Sequence, residues 1–187
     1  MRVIAGEAKG RNLVVPRGGE TRSATDRIRE TVFAILEPTL HGANVLDLFA
    51  GAGTLGIEAL SRGAAHATFV EQSRDAVRAL ERNLTTTGFL ARSTVVTAEV
   101  ARYLSSKPSG PFTLAFADPP FADVSGLEAT LAHPGLRGAL APGALTVARF
   151  LRKHPPTLPR EAVPFRVKEI GEENIVFLRY AEAAAGG

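Results

Sequence analysis

The sequence predicts an α/β protein whose doubly wound, mostly parallel sheet has seven strands. From Val45 onward, short apolar runs of β type alternate with segments of helical periodicity. The run Phe112–Ala117 is almost entirely apolar, which is typical of a strand buried on both faces. Two final β-prone runs, 164–170 and 174–180, flank Gly171 and indicate an antiparallel hairpin at the edge of the sheet.

The chain begins with two β-prone runs, 2–5 and 12–15, which predict a small basic hairpin as an appendage spanning residues 1–22. A helix is predicted to start at Thr25-Asp26, because an acidic side chain is stabilising at the positive end of the helix dipole. The same helix is predicted to stop at Pro38. Its apolar stripe consists of Ile28, Val32, Ile35 and Leu36.

The following elements are predicted within one domain, residues 23–180. The predicted strands before the final hairpin are 45–49, 67–70, 94–97, 112–117 and 145–148. The predicted helices are 55–61, 76–84 and 125–132. Residues 181–187 consist of alanine, glutamate and glycine and have no large apolar side chain to bury, so the tail is predicted to be disordered.

Composition excludes several kinds of chemistry. The chain has no cysteine, which rules out disulfides, zinc-thiolate sites, iron–sulfur clusters and thiol nucleophiles. Its four histidines are scattered without ligand spacing, so no metal site is expected. No apolar run approaches the roughly 20 residues of a membrane span. We therefore expect a cytoplasmic protein with no membrane partner, and nothing in the sequence demands more than a monomer.

The net charge of +3 is unevenly distributed. Residues 1–30 carry seven basic and four acidic side chains, whereas the rest of the chain is balanced. A local basic surplus suggests an anionic partner at this end of the protein, although a charged, solvated surface is the alternative. Arg27 and Arg29 lie off the apolar stripe of the first helix, where they could face a phosphate.

A glycine-rich turn follows the first predicted strand, in the stretch NVLDLFAGAGTLGIEAL (residues 44–60). Gly51, Gly53 and Gly56 have the spacing G-x-G-x-x-G, which serves dinucleotides as well as other ligands. Asp47 precedes the turn and would repel a pyrophosphate, but it would attract a cationic amino group. S-adenosylmethionine (SAM) carries such a group. The alternative is a tight strand-to-helix turn with a capping acid.

Acids also stand at the ends of the next two strands. Glu71 follows the second strand about twenty residues after the first glycine, where a carboxylate can bind both hydroxyls of a ribose. Glu99, after the third strand, could accept a hydrogen bond from an adenine amino group or simply begin the next helix. Phe49 and Gln72 complete the predicted cofactor site.

The motif Asp118-Pro119-Pro120-Phe121 directly follows the fourth strand. Its prolines hold the backbone extended and leave carbonyl oxygens free of intramolecular bonds. Asp118 and the Pro119 carbonyl could accept both hydrogens of an amino group on a planar ring that stacks on Phe121. Accepting both hydrogens frees the nitrogen lone pair for attack on a methyl group. The alternative is a rigid loop with a core phenylalanine.

Together these motifs resemble class I SAM-dependent methyltransferases of the amino-methylating kind, which have a Rossmann-like fold. The stretches MRVIAGEAKGRNLVVP and TRSATDRIRETVFAIL resemble the RsmD family of bacterial rRNA guanine-N2 methyltransferases, and the likeness extends to about Tyr180. Two positions depart from the family pattern: Ser23-Ala24 stands where Pro-Thr is usual, and Glu99 stands where Asp is usual.

The resemblance implies methyl transfer from SAM to the N2 atom of a guanine in 16S rRNA, on the 30S subunit or an assembly intermediate. It implies that Asp47, Gly51, Gly53, Glu71 and Glu99 hold SAM and that residues 118–121 form the catalytic loop. The predicted RNA-binding residues are Arg2, Lys9, Arg11, Arg17, Arg22, Arg27 and Arg29.

Three alternatives remain open at the level of the sequence. Methylation of adenine N6 in DNA or RNA uses the same kind of loop. An NAD-dependent oxidoreductase would share the glycine turn but would not explain Asp47 or the Asp-Pro-Pro-Phe motif. A ribosome-assembly factor could keep the fold and bind RNA without turnover.

Overall fold

The structure is a computed structural model that describes residues 1–16 and 26–181. Its helices are α1 (Asp26–Leu40), α2 (Thr54–Ser61), α3 (Arg74–Thr87), α4 (Val100–Ser105), α5 (Val124–Ala132) and α6 (Pro134–Ala139), with a 3₁₀ turn at Leu90–Arg92. Its strands are β1 (Asn44–Leu48), β2 (His66–Glu71), β3 (Ser93–Thr97), β4 (Phe112–Ala117), β5 (Leu140–Leu151), β6 (Ala162–Ile170) and β7 (Glu173–Tyr180).

All seven strands belong to one sheet in the order β3-β2-β1-β4-β5-β7-β6. Strands β1 to β5 are parallel, and β7 runs antiparallel to both β5 and β6. The strand order reverses between β1 and β4, so the carboxyl ends of these two strands lie side by side at the switch point. The predicted fold class is therefore confirmed.

Helices cover both faces of the sheet because alternate strand residues point to opposite sides. Val45 of β1 packs into the core shared with α1, α2 and α3, whereas its neighbour Leu46 packs with α4 and α6. In β4 every residue except Thr113 is buried, as the apolar run predicts. The sheet is thus the central layer of the protein.

The N-terminal segment 1–16 is attached directly to the main core. Val3, Ala8 and Leu13 are buried in the same cluster as the side chains of α1 and α2. The predicted hairpin is reduced to one antiparallel bridge between Arg2 and Asn12. The ladder stops there because the next backbone groups bond to side chains of α2 and α3 instead of to each other.

Buried polar side chains fasten this segment, and Glu58 and Asn83 are two of them. Glu58 of α2 accepts hydrogen bonds from the backbone N–H groups of Ile4 (2.8 Å) and Ala5 (3.0 Å). Asn83 of α3 accepts from the Val14 N–H (2.7 Å) and donates to the Val14 carbonyl and the Ala52 carbonyl (2.9 Å each). Asn83 therefore joins the N-terminal segment to the glycine turn.

The structure corrects several element boundaries. Helix α1 runs past Pro38 to Leu40, although proline there removes one backbone hydrogen bond of the helix. Strand β5 extends well beyond the predicted 145–148. Helix α6 was not predicted, and α4 was expected after Glu99 without bounds, since six-residue helices are too short to show an apolar period.

Three expectations fall on residues 17–25 or 182–187, outside the described chain. They are the boundary at residue 22, the start of the first helix at Thr25 and the disorder predicted for most of the tail.

Candidate active site

A cleft of about 500 Å³ opens at the carboxyl ends of the parallel strands, a volume typical of a small-molecule site. Most of the residues predicted to bind the cofactor or the acceptor line it: Asp47, Phe49, Gly51, Glu71, Gln72, Glu99, Asp118 and Pro120. Val15 and Pro16 of the N-terminal segment line it as well. The sheet thus brings Asp47 and Asp118, which lie 71 residues apart in the sequence, to the same cleft.

Asp47 is the most deeply placed acid of the cleft, with 2% of its surface exposed. Its Oδ2 accepts a hydrogen bond from the Gly56 N–H at 2.9 Å. The pKa of Asp47 is raised to about 7, chiefly by burial; the negative charges of Asp118 and Glu71 contribute to the rise, and the Gly56 hydrogen bond opposes it. A cation bound beside Asp47 would restore its ionised form.

The glycine turn allows this close approach. Gly53 has a φ of +80°, and a Cβ atom there would lie 2.3 Å from the Leu80 side chain. A Cβ atom on Gly56 would lie 2.3 Å from the Phe69 ring and 3.0 Å from the Asp47 carboxylate. Gly53 itself does not line the cleft, so its contribution is to let the turn pack against α3.

Phe49 adopts a φ of +60°, which is strained for an aromatic residue. The residue lies between Asp47 and the turn and lines the cleft. Backbone strain of this kind is characteristic of ligand sites, because the surrounding fold must enforce it.

Glu71 is bound to the backbone on both carboxylate oxygens. It accepts from the Gly51 N–H at 2.8 Å and from the Ser73 N–H at 2.7 Å. Gln72 is exposed beside it at the cleft. Glu99 is exposed at the first position before α4 and makes no side-chain cap bond to that helix.

Asp118 stands at the end of β4 on the other wall of the cleft. Arg149 of β5 donates to it twice, from Nε to Oδ1 at 2.8 Å and from Nη2 to Oδ2 at 3.0 Å. The Nη1 of Arg149 donates to Oε2 of Glu173, at the start of β7, at 3.1 Å. Burial raises the pKa of Asp118 above its ordinary value, and the charge and hydrogen bonds of Arg149 offset only part of that rise.

The loop after Asp118 differs from the expectation at one atom. The Pro120 carbonyl accepts the Asp123 N–H at 2.8 Å, so this oxygen is not free. Within the described residues the Pro119 carbonyl accepts no hydrogen bond. Phe121 is half-buried, with the Arg149 guanidinium 4.8 Å from its ring centroid. Neither Pro119 nor Phe121 lines the cleft, although both adjoin residues that do.

Comparison with known proteins identifies this arrangement. The family model described as "Conserved hypothetical protein 95" matches residues 1–179. The chain is 37% identical over 187 residues to the Ribosomal RNA small subunit methyltransferase D of Escherichia coli, covering all of this chain and 92% of that protein. It is 41% identical over 125 residues to YlbH of Bacillus subtilis, covering 66% of this chain and 68% of that one. The solved structure of yhhF from Escherichia coli superimposes with a TM-score of 0.85 at 36% identity, covering 96% of this chain and 97% of that chain.

This chain belongs to the RsmD family. It has the class I methyltransferase fold, and its cofactor is SAM. The cleft fits that cofactor: a buried carboxylate suits its amino group, and the glycine turn admits a ligand close to the backbone.

The RNA-binding residues predicted for this RsmD-family chain are divided by the structure. Arg2, Lys9, Arg11 and Arg27 are exposed on the N-terminal segment and α1. Arg29 is completely buried, which corrects the expectation that it faces a phosphate. It donates to the Arg2 carbonyl and forms ion pairs with Asp26 and Glu58.

The remaining two members of the set, Arg17 and Arg22, lie outside the described residues.

Two members of the site, Arg149 and Glu173, were not found from the sequence. Arg149 immediately follows the apolar run Leu145–Ala148. The rule that selected Asp47, Glu71 and Asp118, a charged residue at the end of a predicted strand, would have found Arg149 too.

Other kinds of site have no support in the described part of the chain. In residues 1–16 and 26–181, no cluster of three or more histidine or acidic side chains could hold a metal ion. None of the helices found there has the length and apolar character needed to cross a membrane.

Proposed function

We propose that this RsmD-family protein transfers a methyl group from SAM to the exocyclic N2 atom of a guanine in 16S rRNA. One observation carries the proposal: Asp118, at the head of the Asp-Pro-Pro-Phe loop, lines the same cleft as Asp47 and Glu71. An acceptor held at Asp118 would therefore meet a cofactor held at the glycine turn.

We assign the cofactor side to residues at the ends of β1 to β3. Asp47 pairs with the amino group, Glu71 binds the ribose hydroxyls, and Glu99 faces the adenine. Phe49, Gly51, Gly53 and Gln72 shape the wall between them. When bound, SAM supplies a methyl group made electrophilic by its sulfonium.

We assign the acceptor side to the loop after β4. The Asp118 carboxylate and the Pro119 carbonyl accept the two amino hydrogens, which concentrates the lone pair on N2. Phe121 stacks on the base, and Pro120 keeps the loop rigid. Asp118 is also placed to receive the proton that N2 loses when it is methylated. A base inside a helix cannot reach this loop, so the target is unpaired or flipped.

We further propose that Arg2, Lys9, Arg11, Arg17, Arg22 and Arg27 bind phosphates of the rRNA. Exposure of the four that the structure describes supports this assignment. The name of the E. coli relative, Ribosomal RNA small subunit methyltransferase D, supports the small-subunit substrate. We expect a monomer acting in the cytoplasm on the 30S subunit or an assembly intermediate.

The decisive experiment incubates the protein with 30S subunits lacking this modification and with methyl-labelled SAM, followed by digestion of the RNA to nucleosides. We expect the label in N2-methylguanosine. Asp118→Ala should lower kcat by about 10²- to 10³-fold, the effect typical of losing one hydrogen-bonding group to a reacting centre. Asp75→Ala is the matched control, because it removes an exposed aspartate of α3 that does not line the cleft.

Other outcomes would identify what is wrong. Label in N6-methyladenosine would overturn the guanine assignment and retain the loop mechanism. If wild type and Asp118→Ala both bind SAM but neither labels any RNA, the result would favour a non-catalytic assembly factor.

A further inference from the structure

Arg149 makes a two-point contact with the carboxylate on which the proposed reaction depends. Both Asp118 oxygens accept from it, at 2.8 Å and 3.0 Å, in the side-on geometry of a bidentate arginine–carboxylate pair. A bidentate pair fixes the plane of the carboxylate as well as its position. Each Asp118 oxygen keeps a second lone pair with which to accept another hydrogen.

Arg149 is itself held from two other directions. Its Nη1 donates to Glu173, which sits on the neighbouring antiparallel strand β7. Its guanidinium lies 4.8 Å from the centroid of the Phe121 ring. One side chain from β5 thus contacts both the first and last residues of the catalytic motif and links them to β7.

The ion pair between Arg149 and Asp118 is mostly buried, with 7% of the Arg149 side chain and 14% of the Asp118 side chain exposed to solvent. A carboxylate in such a place favours protonation unless a cation compensates. Among the described residues, the charges on and around Asp118 are Arg149 on β5, Glu173 behind Arg149 on β7, and Asp47 on β1. Arg149 is the only cation in this set, and the two acids would oppose ionisation.

We propose that Arg149 is a positioning residue that holds Asp118 ionised and oriented to accept the amino hydrogens of the acceptor base, and that fixes the Phe121 ring beside it. This inference rests on the proposed function, because it assumes that Asp118 contacts the base. Arg149 also lines the cleft, and the role proposed for it is exerted through Asp118 and Phe121.

The test replaces Arg149 with methionine and measures methyl transfer across pH. Removing the cation raises the pKa of Asp118, so we expect the acid limb of the Arg149→Met profile to move to higher pH than in the wild type. Activity at pH 7 should fall at least tenfold and recover only in part as the pH rises, because the two-point contact that orients Asp118 stays lost. Carbon-13 NMR of labelled aspartate carboxyls, in the protein without substrate, should show the same upward shift of the Asp118 titration.

Two variants separate charge from geometry. Arg149→Lys keeps the cation but loses the planar fork, so it should restore the pH profile while kcat stays reduced. The double variant Asp118→Asn/Arg149→Met has no carboxylate to titrate, so the shift caused by Arg149→Met should disappear. If Arg149→Met folds poorly, Arg149→Lys keeps the test available, because a wild-type kcat in Arg149→Lys would contradict the positioning role. Arg152→Met is the matched control, since Arg152 forms an exposed ion pair with Glu169.

The possible results are distinct. An Asp118 titration and a pH profile unchanged in Arg149→Met would overturn the inference even if the wild type makes N2-methylguanosine. A wild type that makes no methylated guanosine would overturn the proposed function, and the NMR titration would still decide the role of Arg149. A shift that persists in the double variant would show that another group titrates.

Discussion

Arg29 and Arg149 are both buried and both paired with a carboxylate, but only the Arg149 pair lies at the cleft. Arg29 is 0% exposed and pairs with Glu58 on α2, which is also 0% exposed. Arg149 is 7% exposed and pairs with Asp118, which is 14% exposed and lines the cleft. Both arginines neutralise a carboxylate that burial would otherwise disfavour.

The difference lies in what else the carboxylate binds. Glu58 receives the N–H groups of Ile4 and Ala5 and the Nε of Arg62 (2.8 Å), so its oxygens are committed to the fold. Asp118 keeps lone pairs that face a cavity. A buried arginine therefore indicates a functional site when its partner can still accept hydrogen bonds from the cleft. It indicates a structural ion pair when the partner's oxygens are all bonded within the fold.

The largest expected effect comes from breaking the structural pair. Glu58→Ala removes the buried partner that Arg29 and Arg62 share, leaving Arg29 with the half-exposed Asp26, and it removes the acceptor of two backbone N–H groups. We expect a loss of about 3–5 kcal/mol in the free energy of unfolding, or about 10 °C in Tm for a domain of this size. Thermal unfolding followed by circular dichroism measures it.

The control is Glu37→Ala, which removes an exposed partner of Arg62 and should change stability little. Equal losses of unfolding free energy in the two variants would mean that the ion pairs of Glu58 do not stabilise the fold.

An intermediate effect is expected at Asp47, a buried carboxylate that, within the described residues, has no arginine beside it. Because the pKa of Asp47 is about 7 in the free protein, lowering the pH protonates it and removes the charge that attracts the amino group of SAM. We expect SAM affinity to fall about eightfold from pH 7.5 to pH 6. Isothermal titration calorimetry measures this change.

Asp47→Asn should bind SAM more weakly at pH 7.5 and lose that dependence on pH. A wild-type affinity that stays constant over this range would refute the assignment of Asp47 to the amino group.

The smallest effects are expected on the exposed surface of the N-terminal segment. Arg11→Ala should leave Tm unchanged and should reduce the slope of log affinity for rRNA against log salt by about 0.7–0.9, the contribution of one phosphate contact. Arg29→Met should do the reverse, lowering Tm without changing that slope. Filter binding at several salt concentrations, together with Tm, separates the two. A salt slope reduced in Arg29→Met and unchanged in Arg11→Ala would invert our assignment.

The part of the site that could be predicted from the sequence is its cofactor half. Asp47, the glycine turn and Glu71 lie within one β-α-β stretch, and the carboxyl ends of β1 and β2 necessarily adjoin in a parallel pair. The Asp-Pro-Pro-Phe loop was predicted for the same reason, because it directly follows a recognisable strand. In each case neighbours in sequence are neighbours in space.

The sequence by itself determined the fold class, the strands that carry the site and the position of each acid at a strand end. Only the tertiary structure decided which charges meet. Asp118, Arg149 and Glu173 come from three strands, at sequence separations of 31 and 24 residues, and nothing in their spacing encodes their contact. The burial of Arg29 was equally undetermined, because a helix position off the apolar stripe is exposed only if no other segment covers it. Here residues 1–16 cover it, and the long-range contacts that place them there are a property of the folded chain.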